Sequence, residues 1–325
     1  MRIGLSGSEK LVGQHLFSSL TADGHKVYPI VQMRSGDAPN EILWNHREDI
    51  LERHKLEELD AVIHLAGEHR LSLARWSEQK KLEIIGNRVG STEHLSRALA
   101  RLRRPPRVFL SASAIGYYGH RGTERLDEDS PPGDDMFLSA LCQEWERATK
   151  PAAEAGIRTI QMRFGIVLTP NGGILRSLLV PFRLGLGGRY GGRRQYLSWI
   201  GMEDVEGAVA HMLSDPTLEG PVNLTSPNPV TMTEFAQTLG RVLSRPVFLH
   251  MPPWLVRLLL GKVSDDAALM SVRAFPKRLL DAGYRFAYPE LESYLRFALD
   301  RATEPTSAGG VQRMKEPSSP SSAIP

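Results

Sequence analysis

A series of short, continuously apolar runs separated by helix-length segments constrains the first half of this chain more than any other feature. MRIGLSG (1–7), KVYPIVQM (26–33), DAVIHLAG (60–67), RVFLSAS (107–113) and IRTIQMRFGIVL (157–168) read as strands, and LVGQHLFSSLTADG (11–24) reads as a helix closed by Gly24. Strands that are apolar throughout are buried on both faces, and parallel neighbours need a crossover long enough to hold a helix. The expected fold class is therefore α/β, a doubly wound parallel sheet of the Rossmann kind.

Past about Thr169 the pattern changes. Glycine-rich loops (NGGI, GLGGRYGGRR), a helix capped by Thr231, and the segments MPPWLVRLLLGK, PKRLLDAGYRF and PELESYLRFAL follow. We read residues 1–170 as a dinucleotide-binding domain whose core continues in part to about 230. Residues 171–299 form a smaller substrate-covering portion, and 300–325, rich in Pro and Ser, a disordered tail. At 325 residues, 41% hydrophobic and 24% charged, the chain can bury a full core. No run approaches the length of a spanning helix and no secretory signal opens the chain, so a cytoplasmic protein without membrane attachment is expected. A net charge of +3, with short and separate basic clusters, does not favour nucleic acid. The single cysteine, Cys142, excludes a disulfide framework, and the histidines show no metal-ligand spacing, so no metal is expected.

The stretch GLSGSEKLVG joins the first strand to the first helix. Three glycines usually stand in such a turn, for the tight bend, for close approach of a pyrophosphate, and for helix-to-strand packing. Gly7 and Gly13 fill the outer roles, but Lys10 holds the middle one. Its side chain either crowds a phosphate or turns outward and pairs with it, beside the first-turn residues Leu11 and Val12. At the end of the second strand Arg34 stands where a carboxylate would select NAD(H), which leans the cofactor expectation to NADP(H).

Taken together, SGxxxxxG after the first strand, HLAGE (64–68), SASAIGYYG (111–119), RFGIVL (163–168), PFRLGLGG (181–188) and QYLSWIGMEDV (195–205) resemble the extended short-chain dehydrogenase/reductase superfamily. More narrowly, the chain is similar to the atypical "epimerase family" branch of NAD-dependent epimerase/dehydratase-like proteins, whose C-terminal domain of unknown function matches about 250–298. The resemblance runs from residue 1 to about 299. It implies a small-molecule substrate; a homodimer is an assembly it allows.

The superfamily transfers hydride with the help of a tyrosine, a lysine four residues later, and a serine that binds the substrate oxygen. The resemblance places Ser113 in the serine's role. Phe137 and Leu141 stand where the tyrosine and lysine belong, and neither carries a proton, so Tyr117 and Tyr118 become the candidate proton carriers. Leu65, Ala66 and Gly67 are expected against the cofactor, with Glu68 facing the cleft, and Arg88 on a helix bordering the cofactor. Arg189 and Arg194, on a glycine-rich loop with Gln195 and Trp199, suit an anionic, phosphorylated or carboxylated, substrate, and Asn223 falls where the superfamily often touches substrate. Two functions stay open: an NADP(H)-binding oxidoreductase or epimerase of small anionic, sugar-nucleotide-like substrates, or a degenerate dinucleotide fold that senses a nucleotide or binds a protein.

Overall fold

The computed structural model describes residues 1–33, 40–45, 50–65, 77–133, 136–190, 192, 194–251 and 269–303. Along the chain the strands are β1 (Arg2–Ser6), β2 (Lys26–Val31), β3 (Ile42–Asn45), β4 (Ile50–Leu51), β5 (Ala61–His64), β6 (Val108–Ala114), β7 (Arg125–Leu126) and β8 (Arg158–Phe164). They continue as β9 (Ile166–Leu168), β10 (Gly188–Tyr190), β11 (Tyr196–Leu197), β12 (Trp199–Gly201), β13 (Gly220–Leu224), β14 (Val230–Thr231), β15 (Leu249–Met251) and β16 (Arg273–Ala274). The main sheet has the order β13-β8-β6-β5-β1-β2-β3-β4. All its pairs are parallel except the last, where β4 adds antiparallel to β3.

The central strands are apolar because helices cover both faces. Ile3, Leu5, Ala61, Ile63, Leu110, Ile160 and Val222 pack with Leu16 and Leu20 of the first helix (Leu11–Ala22) and with Val205, Val209 and Met212 of the helix Met202–Ser214 in one core. Val62, Phe109, Leu95 and Leu99 belong to a core with Ile30, Ile42 and Trp44. The doubly wound expectation holds, and β3 and β4 extend the sheet beyond the strands read from the sequence.

The long apolar run 157–168 is two strands rather than one. A side chain on Gly165 would stand 2.7 Å from the Ser198 carbonyl oxygen and 2.8 Å from the Thr225 methyl, so the chain passes this point only as glycine. Before it, β8 lies in the main sheet; after it, β9 pairs in parallel with β12. That pairing opens a further core in which Leu168, Phe182, Trp199, Phe235, Tyr294 and Leu295 meet. The Asp204 carboxylate ties the C-terminal segment down by accepting from the backbone N–H groups of Ala287 (2.7 Å) and Tyr288 (3.0 Å) and from the Tyr284 hydroxyl (3.1 Å).

Candidate functional site

The strand order reverses between β1 and β5, the place where doubly wound sheets open a crevice at the carboxyl ends of their strands. Two turns form its walls, Gly7 after β1 and Leu65 after β5. Gly7 adopts φ +73°, and a side chain there would stand 2.8 Å from the Leu65 carbonyl oxygen. Gly13, in the first helix, is packed still more closely, since a Cβ would fall 2.0 Å from the Gly7 carbonyl oxygen. Only glycine lets the helix rise this tightly from the end of the strand.

Lys10 takes its place in the turn without backbone strain. Its backbone is extended (φ −95°, ψ 165°), a conformation any residue adopts, and its N–H donates to the Gly7 carbonyl at 3.0 Å. The ammonium lies 3.9 Å from the Glu9 carboxylate at the rim. The Lys10 side chain does not cap this helix, and no acidic residue stands in its first turn. The N–H groups of Leu11, Val12 and Gly13 have no acceptor within the helix, and the positive end of its dipole points the same way. The Leu11 side chain is taken up by packing, with Gly172 close enough that a Cβ there would meet Leu11 at 2.6 Å, so Leu11 offers the crevice its backbone. Two glycines in close contact and an uncapped helix end fit the pyrophosphate of a dinucleotide.

At the neighbouring strands a buried polar network is built on one row of the sheet. Ser113 of β6 stands in register with Arg163 of β8, and Arg163 with Asn223 of β13. The Ser113 hydroxyl donates to Glu146 Oε1 at 2.7 Å. Arg163 grips the same carboxylate with two bonds, from Nε to Oε1 at 2.7 Å and from Nη2 to Oε2 at 2.8 Å. Its Nη1 donates to the Tyr118 hydroxyl at 2.9 Å, which donates in turn to Asn223 Oδ1 at 2.9 Å. Asn223 finishes the chain with its amide donating to the Phe275 carbonyl and its backbone N–H donating to the Glu128 carboxylate. Burial works against the Arg163 cation, but the hydrogen bonds and charge of Glu146 outweigh it and hold its pKa above the ordinary value. Burial also raises the Glu128 carboxyl, with the Asn223 N–H acting the other way.

Several expected site residues are distributed differently from the sequence reading. Tyr118 is fully buried, and burial pushes its hydroxyl above the ordinary tyrosine pKa in spite of the Arg163 cation. It is a strut of the network, with its proton committed to Asn223. Tyr117 is half-buried, and the Arg163 guanidinium lies 3.5 Å from its ring centroid. Trp199 is fully buried against Tyr294 and donates to the Asn228 carbonyl, so it holds up β12 and lines no cleft. Asn223 is equally buried, bonded on both sides by protein groups. Gln195 is buried, its amide donating to the Met270 carbonyl at 3.4 Å.

Arg189 lies on β10, which pairs with β15, and its Nη1 is buried without a hydrogen-bond partner among the described residues. Arg194 is exposed. Neither joins the Ser113 network. Arg88 sits in a five-residue π-turn, Gly86–Gly90, with its guanidinium 4.9 Å from the Trp145 ring centroid. Phe137 and Leu141 fall in the first turns of the helix Phe137–Arg147. Arg34, Ala66, Gly67 and Glu68 lie outside the described residues.

Glu146, Arg163 and Glu128 were not picked out by the sequence reading. Arg163 carried the signal, because a guanidinium between Met162 and Phe164 in an apolar strand must find a carboxylate. Among the described residues no group of His, Cys, Asp and Glu side chains could hold a metal ion, and no helix is long and apolar enough to cross a membrane.

Comparison with known proteins agrees with this geometry. The model of the NAD dependent epimerase/dehydratase family matches residues 3–217, and a domain of unknown function, DUF1731, matches 251–298. The chain is 38% identical over 299 residues to the epimerase family protein Mb2239 of Mycobacterium bovis, covering 92% of this chain and 98% of that one. It is 35% identical over 297 residues to the human epimerase family protein SDR39U1, covering 91% and 99%. The crystal structure of human SDR39U1 (isoform 2) with NADPH superposes with a TM-score of 0.83 at 32% identity, over 92% of this chain and 99% of that one. A Thermus thermophilus UDP-glucose 4-epimerase in complex with NAD, at 18% identity and a TM-score of 0.68, shares the fold.

Proposed function

The chain belongs to the NAD dependent epimerase/dehydratase family, and from that premise we propose that it binds NADP(H) across the turns at Gly7 and Leu65, at the carboxyl ends of β1 and β5, and acts on a small anionic substrate as an oxidoreductase or epimerase. The observation that carries this reading is the uncapped amino end of the first helix, closed onto β1 by Gly7 and Gly13. The solved SDR39U1 structure with NADPH supports the choice of cofactor.

In this reading the N–H groups of Leu11, Val12 and Gly13 bind phosphate oxygens, with the Lys10 ammonium at the rim. The bound nicotinamide supplies or takes up hydride. Ser113 orients the substrate oxygen; because its own proton goes to Glu146, its lone pairs are what it offers. Of the two tyrosines, Tyr117 is the one left to move a proton, since Tyr118 is buried and committed to Asn223. The buried Nη1 of Arg189, without a hydrogen-bond partner among the described residues, supports an anionic substrate. A second reading rests on Phe137 and Leu141, where the usual tyrosine and lysine are missing: a protein that binds the dinucleotide and reports it without turnover.

Calorimetric titration with NADPH, NADP⁺, NADH and NAD⁺ tests the proposal. NADPH is expected to bind at least about tenfold tighter than NADH, roughly 1.4 kcal/mol, with Arg34→Ala erasing that preference. Lys10→Gly is expected to weaken NADPH binding, because the Lys10 backbone needs no glycine and its positive charge is lost. Equal affinity for NADPH and NADH removes the NADP(H) preference, and absence of binding by all four removes the proposal.

A further inference from the structure

We propose that Arg88 supplies, against the nicotinamide half of the dinucleotide, the positive charge that the superfamily's lysine supplies elsewhere and that Leu141 cannot. The inference rests on the NADP(H) reading above and adds to it a residue from a different element than the turn of Gly7 and Gly13.

The first ground is the backbone. Gly86–Gly90 is a π-turn set between the helices Glu78–Ile85 and Ser91–Ala100. Such a widened turn leaves carbonyl groups poorly bonded and changes the direction in which its side chains leave the helix, and it is frequent at functional positions. Here the loosened carbonyls are served by one hydroxyl: Ser91 Oγ donates to the Asn87 carbonyl at 2.6 Å and lies 3.3 Å from that of Arg88. The turn is thus stabilised in its altered form.

The second ground is where the side chain goes. The Arg88 guanidinium stacks over Trp145, one helical turn beyond Leu141 on the helix Phe137–Arg147. Trp145 is itself fixed, buried and donating from Nε1 to Thr92 Oγ1 at 2.9 Å. Beside it, Cys142 lies against the end of β6, close enough that a Cβ on Gly116 would touch its Sγ at 3.5 Å. Cys142 stands one helical turn before Glu146, the carboxylate that holds Ser113, and feels the charges of Arg88, Glu146 and Arg163 together. Arg88 therefore reaches the Ser113 end of the crevice, the end where hydride must pass to or from a substrate oriented by Ser113.

The third ground is charge. Among the described residues no carboxylate pairs with Arg88, although the guanidinium is half-buried and remains charged at any physiological pH. Burial pulls its pKa down, the mark of a cation whose lost hydration is not made good by a protein partner. Oxygen atoms of a bound ligand, the hydroxyls and phosphate of the nicotinamide half, would offset that loss by accepting from the guanidinium N–H groups.

The test compares two probes on the full chain by calorimetry: NADPH, and 2′,5′-ADP, which carries only the adenine half. Arg88→Met is expected to lower NADPH affinity by about tenfold or more while leaving 2′,5′-ADP within about twofold of wild type. Arg88→Lys, which keeps the charge and a stem long enough to lie over Trp145, is expected to recover part of the loss. It also stands in if the methionine variant does not fold, with the same split between probes expected. The proposal is overturned if NADPH affinity is unchanged, if both probes weaken together, or if lysine does no better than methionine. Failure of the wild type to bind either probe overturns the cofactor reading itself, a result separate from all of these.

Discussion

Gly13→Ala is expected to abolish useful dinucleotide binding, with NADPH affinity falling by at least about a hundredfold, roughly 2.7 kcal/mol. The added methyl would stand 2.0 Å from the Gly7 carbonyl oxygen, and the next nearest atoms, at 2.7 and 2.9 Å, are also backbone. No flexible side chain can move aside, so the helix must lift from β1. Lifting displaces the three first-turn N–H groups that are proposed to bind phosphate. The same overpacking is expected to lower stability by about 1–3 kcal/mol, read as a lower urea midpoint. A variant that binds NADPH as the wild type does would mean that the phosphates do not lie on this helix end.

The second large effect is expected from Arg163→Met, which should lower stability by about 3–5 kcal/mol. Arg163 is 2% exposed, so the Glu146 carboxylate would lose both bonds of its bidentate partner in a site with little access to water. Tyr118 would lose the donor to its hydroxyl, and Tyr117 the cation against its ring. The cost comes from the stranded charge more than from the lost contacts. Arg163→Met combined with Glu146→Leu should therefore recover a substantial part of the loss, since an apolar pair replaces an ion pair at little net cost. Urea unfolding of wild type, single and double variants with unchanged m-values is the measurement. A single variant within about 1 kcal/mol of wild type would show that the network is not what holds β6, β8 and β13 together.

The fold was legible where physics acts locally. RIGLS and AVIH are buried parallel strands, and that burial is written in their composition; Gly24, at φ +83°, ends the first helix as a residue free of Cβ constraints can. The division of 157–168 at Gly165 was hidden because the atoms that forbid a side chain there belong to Ser198 and Thr225, distant in sequence. Lys10 is the converse case. As a sequence symbol it damages a glycine pattern, and only the structure shows that its backbone is extended and asks for no positive φ.

The site was legible less evenly. Ser113 could be named because the resemblance places it in the serine's role, but its partner Glu146 is 33 positions away and its register mate Arg163 a full crossover later. Tyr118 and Tyr117 are adjacent letters with opposite surroundings, one sealed between Arg163 and Asn223 and the other half-buried under a guanidinium. Trp199 sat in a motif beside plausible ligand residues, yet its strand turns it into the core formed with Tyr294. Which side of a strand faces a cleft depends on what packs on the other side, and short motifs carry no record of that.

Amide hydrogen exchange of the wild-type chain with and without saturating NADPH tests the central claim most directly, because it reads both binding and its place. The account predicts that NADPH slows exchange in peptides covering Gly7–Gln14, with further protection around Gly86–Ser91. Unchanged exchange across Gly7–Gln14 at a concentration that saturates calorimetric binding would contradict it, and would put the dinucleotide somewhere other than the crevice between β1 and β5.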